Sequence, residues 1–241
     1  MILALATTLV LSAVPAVSSA QDSPLSFNVG LTTDYRYRGI SQSRLKPALQ
    51  GGVDYALPAG FYVGAWGSTI KWIKDIPGGD AGVEIDIYGG YKGEITKELA
   101  YDVGVLTYQY PSNRLAPTAN TTEVYGALSF GPATLKLSHA LTNTFGNTDS
   151  KNSFYVDASA SFDVGAGVSL TPHVGYQKIK GPNSGPGTYT DYSLTAAKDF
   201  SGFVVSAAVV GTDADKNFYS SPVDGKELGK AGLVLGVKKS F

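Results

Sequence analysis

The sequence predicts a transmembrane antiparallel up-and-down β-barrel of about twelve strands, following an N-terminal signal peptide. Three observations predict it. Hydrophobicity alternates with period two in segments of about ten residues. The connections between segments alternate in length. The polar strand face is rich in Gly, Ser and Tyr with isolated charges. Only 16 % of the 241 residues are charged, while Gly (29) and Tyr (15) are plentiful. A soluble surface usually carries about a quarter charged residues, so the composition already leans away from a soluble exterior. The formal net charge of −1 argues against nucleic acid as a partner, because counterion release needs a basic patch. Cysteine is absent. That excludes disulfides, thiol catalysis and thiolate metal sites, and it suits an oxidising compartment.

Residues 1–20 read as a cleaved signal peptide and 21–241 as one barrel domain. Ile2–Val17 is apolar, and Ser18-Ser19-Ala20 offers a small-x-small cleavage site before Gln21. The basic leading region is missing, which places the expected start codon upstream. The rival reading is a membrane-anchoring helix, for which Pro15 and the Ser/Ala run leave too short a span. No other stretch is apolar for long enough to cross as a helix. A closed barrel is then the remaining way to satisfy every backbone group in lipid.

The segments expected as strands are 25–40, 46–57, 60–73, 82–92, 99–110, 121–130, 133–143, 153–162, 168–179, 188–200, 203–212 and 229–241. In the first, Phe27, Val29, Leu31, Thr33, Tyr35 and Tyr37 share one face, against Asn28, Thr32, Asp34, Arg36 and Arg38. In Val83–Tyr91, Val83, Ile85, Ile87 and Tyr91 oppose Glu84, Asp86 and Tyr88. A soluble sandwich or lipocalin-like barrel shows the same alternation with its apolar face inward. Aromatics near segment ends favour the lipid-facing arrangement, as interfacial girdles require. They are Phe27, Tyr37, Trp72, Tyr91, Tyr110, Phe130, Phe162, Phe200, Phe203 and Phe241.

The even-numbered connections are tight (Pro58-Ala59, Gly131-Pro132, Ser201-Gly202) or about five residues, and the odd-numbered ones are mostly longer. Short periplasmic turns against long outer loops put both termini in the periplasm, with Asp75–Asp80, Asn113–Asn120 and Asp213–Leu228 outside. The first outer loop, read as Ser41–Leu45, is an exception to the rule, being as short as the turns.

Alternation directs a set of charges toward the lumen. The acids are Asp34, Asp54, Glu84, Asp86, Asp102, Glu123, Asp157 and Asp191, and the bases are Arg36, Arg38, Lys136, Lys198 and Lys238. Such residues can pair across strands to hold the lumen together, and they can form a constriction that selects permeants. The acid surplus predicts a mild cation preference, provided the arginines pair locally with Asp34 and Glu84.

Enzyme chemistry is not expected. His139 falls on the apolar face of its segment with Leu137 and Leu141 around it, and no nucleophile is in reach; His173 falls on a polar face. Two lone histidines make a poor metal site, and Asp213, Asp215 and Asp224 match no calcium-loop spacing. No cofactor is expected. The pairs Gly51-Gly52, Gly78-Gly79 and Gly89-Gly90 are not phosphate loops, since no helix follows them and no Lys-Ser/Thr closes the motif; within strands they allow bends or make room for lumen Tyr and Arg side chains.

The runs Thr32–Ser43, Pro47–Gly52, Gly60–Ser68 and Glu84–Tyr91 together resemble the TorF family of porin-like proteins, long catalogued as conserved and of unknown function. The resemblance covers the mature chain and is most specific over residues 25–110. It implies an outer-membrane barrel with a channel role and carries no catalytic residues. The terminal Phe241 looks like the signal read by the outer-membrane assembly machinery, although Lys239 departs from the usual apolar residue two positions earlier. The expected function is a narrow passive channel for small polar solutes or ions. The alternative is a non-conducting barrel that exports, displays or binds a partner through its outer loops. The expected partners are outer-membrane lipid, the assembly machinery and the permeating solutes.

Overall fold

The computed structural model describes residues 23–241, so the expected signal peptide lies outside the described residues. Among the described residues, twelve antiparallel strands form a closed barrel. They are β1 (Leu25–Thr32), β2 (Ala48–Ala56), β3 (Phe61–Thr69), β4 (Val83–Glu94), β5 (Leu99–Gln109) and β6 (Thr121–Phe130). β7 (Ala133–Ala140), β8 (Phe154–Ala160), β9 (Val168–Lys178), β10 (Tyr189–Phe200), β11 (Phe203–Thr212) and β12 (Gly232–Ser240) complete it. Phe162–Asp163 prolongs β8 along β9. Each strand pairs with its sequence neighbours, and β1 pairs with β12 from Asn28↔Ser240 to Thr32↔Gly236. Phe27 and Phe241 exchange backbone hydrogen bonds of 3.1 and 2.9 Å, so the last residue finishes the closure. Closure leaves no open edge, which lipid would not tolerate.

The outside of the wall is apolar. Phe27, Val29, Leu31, Ile85, Ile87, Val105, Leu137, Leu194 and Leu235 all point away from the lumen and are exposed. Their strand neighbours Glu84, Asp86 and Asp191 are buried inside. This is the inside-out pattern of a transmembrane barrel, the reverse of a soluble one. Phe130, Phe162, Phe200, Phe203 and Phe241 are exposed on the outside at the end that carries the short turns. Tyr37, Trp72 and Tyr110 are not part of that belt. They pack inside, against Tyr108, Phe145 and one another.

The connections at one end are 57–60, 95–98, 131–132, 164–167 and 201–202; at the other they are 33–47, 70–82, 110–120, 141–153, 179–188 and 213–231. The short loop expected at Ser41–Leu45 is a correction. β1 stops at Thr32, and 33–47 is a long loop like its odd-numbered fellows. The apolar–polar alternation continues past Thr32, which is why sequence periodicity prolonged the strand. The alternation belongs instead to a small hairpin of Arg36–Tyr37 against Ile40–Ser41.

Inside the wall, glycines face tyrosines across strand pairs. A Cβ at Gly104 would meet the Tyr125 hydroxyl, and one at Gly175 would overlap the Tyr155 hydroxyl. A Cβ at Gly90 would strike Tyr62 in the same way. The Gly-rich, Tyr-rich composition thus has a packing cause: each glycine makes the hollow in which a lumen tyrosine lies flat against the wall.

Candidate functional site: a loop folded into the lumen

The segment after β1 turns into the barrel instead of over its rim. Thr33 closes the wall behind it, donating its amide to the Leu235 carbonyl and accepting from the Leu235 amide on Oγ1, both at 2.9 Å. Asp34 then organises the descent. Its carboxylate accepts from the Ser41 and Ser43 hydroxyls (2.5 and 3.1 Å) and pairs with Arg36. Ser43 Oγ in turn accepts from the Tyr35 amide at 3.0 Å. Arg36 spends its guanidinium on backbone carbonyls, those of Gly39 and Leu228 at 2.9 Å and of Lys230 at 3.1 Å. That arrangement ties the hairpin to the 213–231 loop.

Arg38 and Gly39 make the tip, with φ of 47° and 77°. Two successive left-handed residues are the signature of a two-residue hairpin turn. Gly39 is required twice over, since a Cβ there would also strike the Thr212 and Asp191 side chains of the wall. For Arg38 the left-handed backbone costs roughly 1–2 kcal/mol, which its side-chain contacts must offset. Those contacts cross the lumen. The guanidinium donates to Glu123 Oε2 on β6 at 2.7 Å and to Gln177 Oε1 on β9 at 2.6 Å. It lies over the Tyr155 ring (4.3 Å) and the Tyr37 ring (4.8 Å). The two side chains of the Arg38–Glu123 pair are only 3 % and 2 % exposed. β1 and the β6–β9 stretch lie on opposite sides of the ring of strands, so the loop spans the barrel.

Other loops brace it from above. The amides of Lys71 and Trp72 donate to the Gln42 carbonyl at 2.9 and 3.2 Å. Arg44 pairs with Asp75 at 3.2 Å. Burial pushes the Asp75 carboxyl up from its ordinary value, and Arg44 works against that. Phe145 stacks edge-on against Tyr37 and Tyr108, and Ile40 packs among Tyr189, Leu228 and Tyr219. Residues 34–43 are buried without a break.

Further along the lumen, the wall carries its own polar lattice. Tyr88 donates to Asp54 at 2.6 Å, and Tyr62 to Asp102 at 2.5 Å while sharing a hydrogen bond with Tyr125. Lys136 sits over the Tyr125 ring at 4.3 Å and opposite Asp157 in register. His173 lies 3.6 Å from Asp191 and 4.0 Å from Asp157, and Tyr155 donates to Asp191 at 2.9 Å. Lys238 faces inward in the field of Asp54.

Of the charges assigned to the lumen from alternation, Asp34, Arg36 and Arg38 lie inside on the inserted hairpin, not on a strand. Tyr35 and Tyr37 lie inside with them, since a loop surrounded by wall has no outer face. Arg38 pairs with Glu123; Glu84 instead accepts from the Tyr35 hydroxyl at 2.6 Å. Lys198 is a correction. It stands opposite Val205, whose side chain is exposed on the outside, and it shares the outward face with Tyr192 and Leu194. Its ammonium lies 5.4 Å from the Phe200 ring centre near the short-turn end, where a long side chain can snorkel. Asp191 and Lys198 are seven residues apart in one unbroken strand, so parity alone separates them. Lys92, missed from the sequence, takes the inward place: it opposes Asp102 and lies over the Tyr62 ring at 5.7 Å.

A closed twelve-stranded wall with an apolar exterior, a charged lumen and one loop folded across it is the architecture of a transmembrane β-barrel. The chain belongs to the family described as "Bacterial protein of unknown function (Gcw_chp)", whose model matches residues 17–241. Among solved structures it is similar to the KdgM porin, with a TM-score of 0.55, 8 % identity, and coverage of 90 % of this chain and 99 % of that one. The NanC porin gives a TM-score of 0.55 and 10 % identity, covering 90 % and 98 %. No curated protein matches the sequence significantly.

Proposed function

We propose that this protein is a narrow outer-membrane channel for small polar solutes or ions, with the inserted loop 33–47 as its constriction. One observation carries this reading: the Arg38 tip anchored on Glu123 and Gln177 across a lumen lined by charged and tyrosine side chains. Porins obtain selectivity from side chains at such a narrowing. The resemblance to the TorF family and the likeness in fold to two porins agree with it. Both termini are periplasmic in this reading, because the short turns lie at their end of the barrel. Phe241 serves the assembly machinery as the end of the closing strand. A tag inserted at Gly225, in the 213–231 loop, should therefore be labelled on intact cells. Labelling only after the outer membrane is breached would reverse the topology.

Among the described residues, the lumen holds the carboxylates of Asp34, Asp54, Glu84, Asp86, Asp102, Glu123, Asp157 and Asp191. It holds five cations, those of Arg36, Arg38, Lys92, Lys136 and Lys238. The expected selectivity is a weak preference for cations that fades above about 0.1–0.2 M salt, where the screening length drops below about 10 Å. Reversal potentials across a salt gradient check it, and a clear anion preference would show that Arg36 and Arg38 govern the narrowing.

The unbroken burial of residues 34–43 favours a second reading, a sealed barrel whose outer loops meet a partner. Absence of conductance steps from a correctly folded barrel would select it.

A further inference from the structure

Asp86 is the anomaly of the lumen. It sits mid-barrel on β4, opposite Trp66 of β3 and Tyr108 of β5, and it is fully buried at 0 % exposure. Neither of its carboxylate oxygens has a hydrogen-bond partner. Its acidic neighbours are provided for. Glu84 accepts from the Tyr35 hydroxyl at 2.6 Å, and Glu123 from Arg38 at 2.7 Å and Tyr108 at 3.3 Å. Glu84 and Glu123 both add negative field at Asp86. Arg38 is committed to Glu123 and Gln177. A buried carboxylate beside two others, with no donor of its own, calls for a cation or a proton.

We propose that Asp86 is the binding site of one monovalent cation inside the barrel, with Glu84 and Glu123 supplying negative field beside it. Among the described residues no group of three acidic or histidine side chains is spaced to close on a metal ion directly. The occupant is therefore held by one carboxylate and, at a site closed to water, must shed most of its hydration, as a singly charged potassium or ammonium ion can. Trp66 and Tyr108 flank it in register, and an aromatic face also favours a cation. The inference deepens the channel reading, on which it rests for the cation's route to the site.

The test separates the two. Thermal unfolding of the refolded barrel is compared in potassium chloride and in N-methylglucamine chloride at equal ionic strength, the second cation being too bulky to enter. Potassium should raise Tm by about 2–4 °C in the wild type, since a ligand bound only to the folded state stabilises it. Asp86→Asn should lose that response, and Asp86→Glu, which keeps the charge, should retain part of it. A response absent from the wild type, or equal in Asp86→Asn, overturns the site and leaves Asp86 as a protonated structural acid. If Asp86→Asn fails to fold, the wild-type comparison alone decides. Missing conductance combined with a potassium response would sink the channel and keep the site.

Discussion

Arg38→Ala is expected to destabilise the barrel by about 3–5 kcal/mol, the cost of leaving a buried charge without its partner. The orphaned group is Glu123, whose side chain is 2 % exposed and would retain only the 3.3 Å contact from Tyr108. The negative field shared by Asp86 and Glu123 would worsen its position. Gln177 would lose its 2.6 Å donor as well. Alanine removes none of the backbone strain at a φ of 47°, so relief there cannot mask the loss. Urea unfolding of the refolded barrel measures it. The double variant Arg38→Ala/Glu123→Gln should recover part of the stability, since it removes the stranded charge. A loss of under about 1 kcal/mol for Arg38→Ala would mean that the pair is solvated and does not anchor the loop.

Ile87→Arg is expected to cost about 2–4 kcal/mol in a bilayer and to lower the yield of assembled barrel sharply. Ile87 is 53 % exposed, points outward from the middle of β4, and faces Ala65 and Thr107 across its two strand pairs. In a soluble protein a charge at so exposed a position would change stability by about 0.5 kcal/mol at most. The substitution thus reports directly on whether the exterior meets lipid. Heat-modifiable migration after refolding into vesicles measures assembly, and wild-type yield would place that face in water.

Much of the wall was legible in the sequence because its cause is local. Each strand must keep apolar residues on one side, so Glu84 and Asp86 separate from Ile85 and Ile87 by parity alone. The odd–even rule of connection lengths follows from the same ladder of neighbouring strands. The inserted loop was not legible, for a physical reason. Residues 33–41 keep the alternation of β1, with Tyr35 and Tyr37 set against Asp34, Arg36 and Arg38, and nothing local says that the ladder has ended. What ends it are contacts far along the chain: Arg36 with the Leu228 carbonyl, Arg38 with Glu123 and Gln177, Gly39 against Asp191 and Thr212. One signal was present. The Arg38-Gly39 pair sits between short runs suited to strand, as a hairpin tip should, and the loop read as Ser41–Leu45 broke the length rule that the other loops kept. Lys198 could have been placed by parity with Asp191, and Lys92 by parity with Glu84 and Asp86.

Single-channel conductance in a planar bilayer tests most directly whether loop 33–47 is the constriction of a channel. The wild-type barrel is compared with a variant in which residues 35–42 are replaced by a short Gly-Ser turn. That change removes the Arg38 anchor while leaving the ladder of β1 and β2 intact. Small, discrete steps are expected from the wild type, and steps several-fold larger from the variant, since the obstruction across the lumen is gone. Steps of equal size from both would place the narrowing elsewhere, and silence from both folded barrels would contradict the channel itself.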